Sequence, residues 1–409
     1  MKNNIKSIIA ILVLAMLMFS MTACQEGPLI IDPPISLAVV YSQRAGNSTS
    51  ASYFDTRLDG ERNSLIYKAG SPGSETIVIT TSGSPFQSKP AVIPKNDAVT
   101  PEQVRDDQYY YSEKNKDSIL STIANAPEAD TFEALKLAAN WLGIQPDDQP
   151  KYCLVIDNGI CTTGTLSFFQ EGFLTAEPEE IVRKLAEKGG MPDLGGVTVV
   201  FAGLGCTSSP QKEPGNEARA RLETLWSLIV TESGGTAVIA KDKYATETSD
   251  GEYPVSVVDF PPDQPFQFDP KQVDFKAAAF LGEDQVQFIG DKWEYLYPDK
   301  AEEVIKPIAD YMLENPELNL LLVGTTAGDE TTEWTMELSK NRANTVKDTL
   351  VSLGVSENRI TTRGLGSSDP WHIYGIGTSS PEASKNRKVV VLDRDCPEAM
   401  EIIGNSYEG

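Results

Sequence analysis

The chain has 409 residues, 40% of them hydrophobic, and carries 35 Lys and Arg against 59 Asp and Glu, a formal charge of −24. That hydrophobic share belongs to a folded protein rather than a disordered one, and the length allows two or three domains. The acidity argues against nucleic acid and anionic lipid head groups as partners.

At the N-terminus, Lys2 and Lys6 precede an apolar run from Ile8 to Phe19 and a small-residue stretch ending at Cys24. The run is shorter than the ~20 residues that a membrane-spanning helix needs, which predicts a signal peptide over 1–23. Met21-Thr22-Ala23-Cys24 resembles a bacterial lipobox, and that resemblance implies a lipid on Cys24 and attachment to a membrane outside the cytoplasm. Acyl chains contribute ~0.8 kcal/mol per buried methylene, so two or three of them hold permanently. Gln25 stands where an inner-membrane retention aspartate would sit, which points to the outer membrane if the cell has one and otherwise to the outer face of the cell membrane. Losing Lys2 and Lys6 would take the charge from −24 to −26. Residues 24–34 read as a proline-containing tether.

The remaining cysteines, Cys153, Cys161, Cys206 and Cys396, match no zinc ribbon and no CxxC pair. No metal or other cofactor is expected. Export permits disulfides, and Cys161 and Cys206, each just past a predicted strand, are the pair expected if a bridge forms.

Residues 35–270 alternate short apolar runs with amphipathic segments: ISLAVVY (35–41), TIVITT (76–81), a helix near 118–124, TFEALKLAANWLG (131–143), CLVID (153–157), a helix at 178–188, VTVVFAGL (197–204), a helix at 216–231, then TAVIAK and VSVVDF. Continuous apolar strands separated by helices predict an open, mostly parallel α/β sheet covered on both faces. Ligands of such sheets sit at the carboxyl ends of the strands, which makes Ser42, Asp157 and Gly203 the candidate positions. The order of elements, the Thr131-led helix, Ile156-Asp157-Asn158-Gly159 closing a strand and the turn Ala202-Gly203-Leu204-Gly205 resemble a von Willebrand factor A domain. The family's Asp-x-Ser-x-Ser turn, which holds a metal, is here Tyr41-Ser42-Gln43-Arg44-Ala45-Gly46-Asn47-Ser48. With no carboxylate and an added arginine, this turn predicts no metal-ion-dependent adhesion site. Asp157 is either on the strand-end rim or part of a plain turn, the commoner use of a strand-terminating Asp-Asn-Gly.

A proline-rich stretch, FPPDQPFQFDP, places a boundary near Pro270, followed by a connector over 271–282. Residues 283–394 then give strand VQFIG (286–290), a helix from Pro298 interrupted by Pro307, strand LNLLLVG (318–324), a helix over 334–353, strand ITTRGLG and strand KVVVLD (388–393), with a tail over 395–409. This βαβαββ order predicts a sandwich with two helices on one face of a mixed sheet. Four motifs in order, Leu338-Ser339 with Arg342-Ala343, Arg359-Ile360 with Gly364-Leu365-Gly366, Asp369-Pro370, and Asn386-Arg387-Lys388-Val389, resemble the OmpA-like family over about 110 residues.

Leu338, Arg342, Val346 and Leu350 share a helix face, so a guanidinium lies in or beside an apolar stripe and needs a partner. The resemblance implies that Arg342 meets the carboxylate of a diamino acid in the peptidoglycan stem peptide, where arginine's planar fork is suited to the task. The alternative is an internal ion pair with Asp329, Glu330 or another acid. In the family an aspartate fifteen residues before this arginine receives the ligand's ammonium; here that position is Ala327, and Thr335 replaces an asparagine. The expected grip on peptidoglycan is therefore weakened or altered, with Arg342, Asp329 and Thr335 the candidate residues.

Catalysis is not expected. His372, the single histidine, reads as an exposed loop residue with no nucleophile elbow to serve, and Gly203-Leu204-Gly205 is a truncated dinucleotide fingerprint. Two functions remain open: a non-catalytic lipid-anchored protein that links membrane to cell wall while its α/β domain meets an unknown protein partner, or a lipid-anchored solute- or partner-binding protein whose OmpA-like domain is only a scaffold.

Overall fold

The computed structural model describes residues 32–47, 61–95, 100–241, 252–263, 279–376, 378 and 381–404. The predicted signal segment, Cys24, most of its tether, Ser48 and the predicted boundary at Pro270 lie outside the described residues.

The first sheet has strands β1 (Ser36–Val40), β2 (Glu75–Ile79), β3 (Ala91–Val92), β4 (Lys151–Ile156), β5 (Val197–Ala202) and β6 (Thr236–Ala240), in the spatial order β3-β2-β1-β4-β5-β6. All neighbours run parallel except β3, an antiparallel edge on β2. Parallel pairing needs crossovers, and these contain helices α1 (Glu61–Lys68), α2 (Pro101–Leu120), α3 (Thr131–Gly143), α4 (Pro178–Glu187) and α5 (Asn216–Glu232). Ala38, Val40, Ile77, Val155 and Phe201 pack beneath α3, α4 and α5. Their alternates Leu37, Val39, Val78, Leu154 and Val200 pack beneath α1 and α2. Burial on both faces is why these strands read as unbroken apolar runs.

In this first domain, two of the elements read from the sequence differ for identifiable reasons. The helix expected near 118–124 is α2, which begins at Pro101 after Thr100 caps it by accepting from the Gln103 amide. Its buried stripe is Gln108, Ser112, Asn115 and Ile119, mostly polar, so no apolar period announces it. Gln108 donates to the Tyr67 carbonyl and Asn115 to the Ala69 carbonyl, which makes that stripe tolerable inside. VSVVDF is no strand: Val258 exchanges two 2.8 Å hydrogen bonds with the side-chain amide of Gln211 instead of with a neighbouring chain.

The second sheet has strands β7 (Ala279–Gly282), β8 (Leu320–Gly324), β9 (Ile360–Gly364) and β10 (Lys388–Asp393) in the order β7-β10-β8-β9, with β8 and β9 parallel and the other pairs antiparallel. Helices α6 (Pro298–Glu314) and α7 (Glu333–Ser352) lie on one face over Leu320, Leu322, Val389 and Val391. The helix α6 runs on through Pro307, held by buried Ile305, Ile308, Ala309 and Met312.

The first strand of this sheet is β7, not VQFIG, so the sheet begins inside the stretch read as a connector. The stretch read as a tail forms α8 (Pro397–Gly404), whose Ala399 and Ile402 cover the other face against Leu321, Val323, Val390 and Leu392.

Candidate functional site

The strand order reverses between β1 and β4, and at their carboxyl ends a crevice would receive a ligand in an open α/β sheet. Here the crevice is filled from within. Arg44 Nη2 lies 3.0 and 2.9 Å from the two Asp157 oxygens and 3.1 Å from Asn158 Oδ1, while its Nε donates to Thr81 Oγ1. Thr131 Oγ1 and the Gly159 amide donate to Asp157 as well, and Ser42 shares a hydrogen bond with Thr81. Both charged side chains are closed off, at 2% and 0% exposure, so Asp157 is a core residue and not on the rim. Ser42 and Asp157 therefore lie in one network, linked through Thr81 and the Arg44 guanidinium. Gly203, at φ 100°, turns the chain beyond β5.

Cys161 and Cys206 are not bonded to each other: both are free thiols, and Cys206 Sγ lies 3.8 Å from the Tyr297 hydroxyl. Among the described residues no group of three or more His, Cys, Asp and Glu side chains is arranged to hold a metal.

In the second domain Arg342 is 7% exposed. Its Nε donates to the Lys292 carbonyl at 3.0 Å, and its guanidinium carbon lies 5.2 Å from the centre of the Phe288 ring. Neither Asp329 nor Glu330 pairs with it. Asp329 instead accepts from the Gly375 amide and faces His372 Nε2 at 3.4 Å. Thr335 is engaged in the capping box that starts α7, exchanging hydrogen bonds with Thr332, and does not serve the arginine.

Arg342 lines a small pocket with Glu283, Val286, Phe288, Arg387 and Lys388. Burial lowers its pKa to about 10, with Glu283 opposing the shift, so the group stays charged at neutral pH. Glu283 is itself committed: Arg387 Nε and Nη2 each lie 2.8 Å from its Oε2, and Lys241 Nζ lies 3.3 Å from its Oε1. Burial alone would raise the Glu283 pKa, but these two cations hold it at about 2. The pocket thus brings together Arg342, Arg387 and a carboxylate already held twice, while the Lys388 ammonium turns to the other face of the sheet, donating to the Trp371 and Lys385 carbonyls.

The other signature residues have architectural duties. Arg359 donates to the carbonyls of Met312, Asn315 and Leu318, closing the end of α6. A Cβ on Gly324 would run into the Ser339 carbonyl, and one on Gly364 into the Lys340 amide and the Met336 carbonyl, so these glycines let α7 lie close to β8 and β9. Asn386 is buried and pairs with both backbone groups of Ile373. His372 is not exposed; its imidazole is enclosed between Asp369 and Asp329, each 3.4 Å away. Ala327 packs with Ile376 and Ala383, an apolar plug at the position where the family has its aspartate.

The sequence reading missed three residues of this neighbourhood. Glu283 stands at the predicted start of the second domain and Lys241 at the end of the predicted strand TAVIAK, with no pattern to mark either. Arg219 carried the same signal as Arg342: it shares a helix face with Leu222 and Trp226 and is 2% exposed.

This sandwich, with its arginine between α7 and the segment preceding α6, defines an OmpA-like domain: residues 295–384 match the OmpA family. Over 93 residues the chain is 32% identical to the peptidoglycan-associated lipoprotein of Buchnera aphidicola, covering 23% of this chain and 52% of that protein. Over 87 residues it is 34% identical to outer membrane porin F of Pseudomonas fluorescens, covering 21% of this chain and 25% of that one. Among solved structures, the peptidoglycan-associated lipoprotein from Burkholderia pseudomallei is similar at a TM-score of 0.23 and 24% identity, over 26% of this chain and 86% of that one. The chain spans about half the length of one curated relative and about a quarter of the other.

Proposed function

We propose that this is a non-catalytic, lipid-anchored protein of the cell envelope that links a membrane to the cell wall, with the wall's stem peptide held through a carboxylate at Arg342. The observation that carries the reading is a buried guanidinium with no salt-bridged carboxylate among the described residues, in a pocket that Arg387 also lines. Leaving a buried charge unpaired costs several kcal/mol, and a ligand carboxylate making two parallel hydrogen bonds offsets that cost.

Specificity follows from Ala327. The apolar plug that it forms with Ile376 and Ala383 offers nothing to an ammonium. The ligand is then recognised by its carboxylate alone, with Val286 and Phe288 beside it. The relatives named for peptidoglycan and the outer membrane support an envelope setting for this domain.

The first domain supports a von Willebrand factor A-like reading through its strand order and its antiparallel edge strand. Arg44 occupies the strand-end crevice, which favours a protein partner over a small solute for this domain.

Stem peptides test the reading. Amidating the carboxylate of the diamino acid should abolish binding to the full chain, whereas acetylating its amine should change affinity less than about twofold. Equal binding of the amidated and free acids would contradict the proposal.

A further inference from the structure

Residues 283–297, between β7 and α6, form a strap whose two faces touch different domains. Its middle is a small hairpin, in which the Ile289 amide donates to the Glu294 carbonyl and the Leu296 amide to the Gln287 carbonyl, both at 2.9 Å, around a turn with Asp291 at φ 52°. Such cross-strand bonds make it move as a unit.

One face grips the side of the sandwich that carries Arg342. The Lys292 carbonyl accepts from Arg342 Nε, the Trp293 carbonyl accepts from Thr345 at 2.9 Å, and Tyr295 shares a 3.0 Å hydrogen bond with Thr349. The other face grips the α/β domain. Asn216 Nδ2 donates to the Gln285 carbonyl at 2.7 Å, and the Gly290 amide to the Lys241 carbonyl at 2.8 Å. Lys241 Nζ pairs with Glu283, and Arg219 donates to the Tyr297 hydroxyl while stacking 3.9 Å from that ring's centre.

We propose that the strap couples the two domains: docking of the α/β domain holds the hairpin over Arg342, and release of that docking opens the guanidinium to its ligand. This rests on the reading of Arg342 as the wall-binding group. Gln287, inside the hairpin, is buried with both side-chain polar atoms unpaired among the described residues, an arrangement that costs about 1–3 kcal/mol and that opening relieves. Glu283 links the same two places, since Arg387 leads from it to the pocket and Lys241 to the α/β domain. Coupling of this kind is reciprocal, so a ligand in the pocket loosens the docking by the factor by which undocking improves affinity.

Phenylglyoxal modification of Arg342 in the full chain, followed by peptide mass spectrometry, reads the guanidinium directly and needs no wall ligand. Asn216→Ala combined with Lys241→Gln should raise the modification rate several-fold and speed amide exchange over 283–297. Tyr297→Phe, which keeps the ring and removes only the hydroxyl bonded to Arg219, should act in the same direction and guards against a double variant that misfolds. An unchanged Arg342 rate in folded variants of both kinds overturns the coupling. Binding to sacculi, measured alongside, separates the two ideas: faster modification without any sacculus binding leaves the coupling standing and removes the wall-binding reading.

Discussion

Taking a guanidinium out of water costs several kcal/mol unless a partner offsets it, and Arg44 and Arg342 meet that cost differently. Arg44 is matched by Asp157 in a closed pair. Asp157→Asn would leave its charge uncompensated, and a loss of about 3–5 kcal/mol in urea denaturation is expected. Arg342 forms no such ion pair among the described residues, which is why it is read as waiting for one. Glu283 gives the third residue-scale expectation. Its folded pKa of about 2 lies below the usual glutamate value of 4.5, so its stabilising contribution is present above that value and is lost as pH falls toward 2. Between pH 4.5 and 2, urea midpoints of the wild-type chain should fall more steeply than those of Glu283→Gln; parallel slopes would contradict the assignment. Arg342 was legible in the sequence because helix period alone puts it among Leu338, Val346 and Leu350. Arg44 was legible as a charge in a turn, but its partner lies 113 residues away and is found only once β1 is placed beside β4.

At the scale of elements, the parallel strands and the helices between them were legible because both faces of the first sheet are buried, giving runs that no polar residue interrupts. The failures have one physical pattern. The helix α2 buries Gln108, Ser112 and Asn115, β7 is a four-residue edge strand, and α8 is short, so none presents enough apolar periodicity to be seen. Phe288 and Ile289 looked like strand residues because one is half-buried against the core of its own domain and the other buried, which periodicity does not distinguish from a sheet. The glycines at the ends of β8 and β9 were visible only as signature letters, and the reason for them is the close approach of α7. Gly324→Ala is accordingly expected to destabilise the domain by about 1–3 kcal/mol, read as a lower thermal midpoint. An unchanged midpoint would mean that α7 can move away from the sheet at no cost.

Across the whole molecule, the proposed series of anchor, α/β domain and wall-binding domain makes sense only if each end is attached. Cys24→Ser should release the protein from the membrane fraction and abolish incorporation of labelled fatty acid, and retention of both would remove the anchor. The two described domains meet through the strap, with Arg219 and Lys241 from one and Tyr297 and Glu283 from the other. That meeting was not legible at all, because it joins residues on either side of a predicted boundary through polar contacts that leave no mark on local pattern. The most direct test of the account is co-sedimentation of the full chain with purified sacculi, comparing the wild type with Arg342→Ala. Removing one partner of a buried charge pair costs about 2–5 kcal/mol, so the variant should lose roughly thirtyfold or more in affinity. Equal co-sedimentation of the two proteins would contradict it.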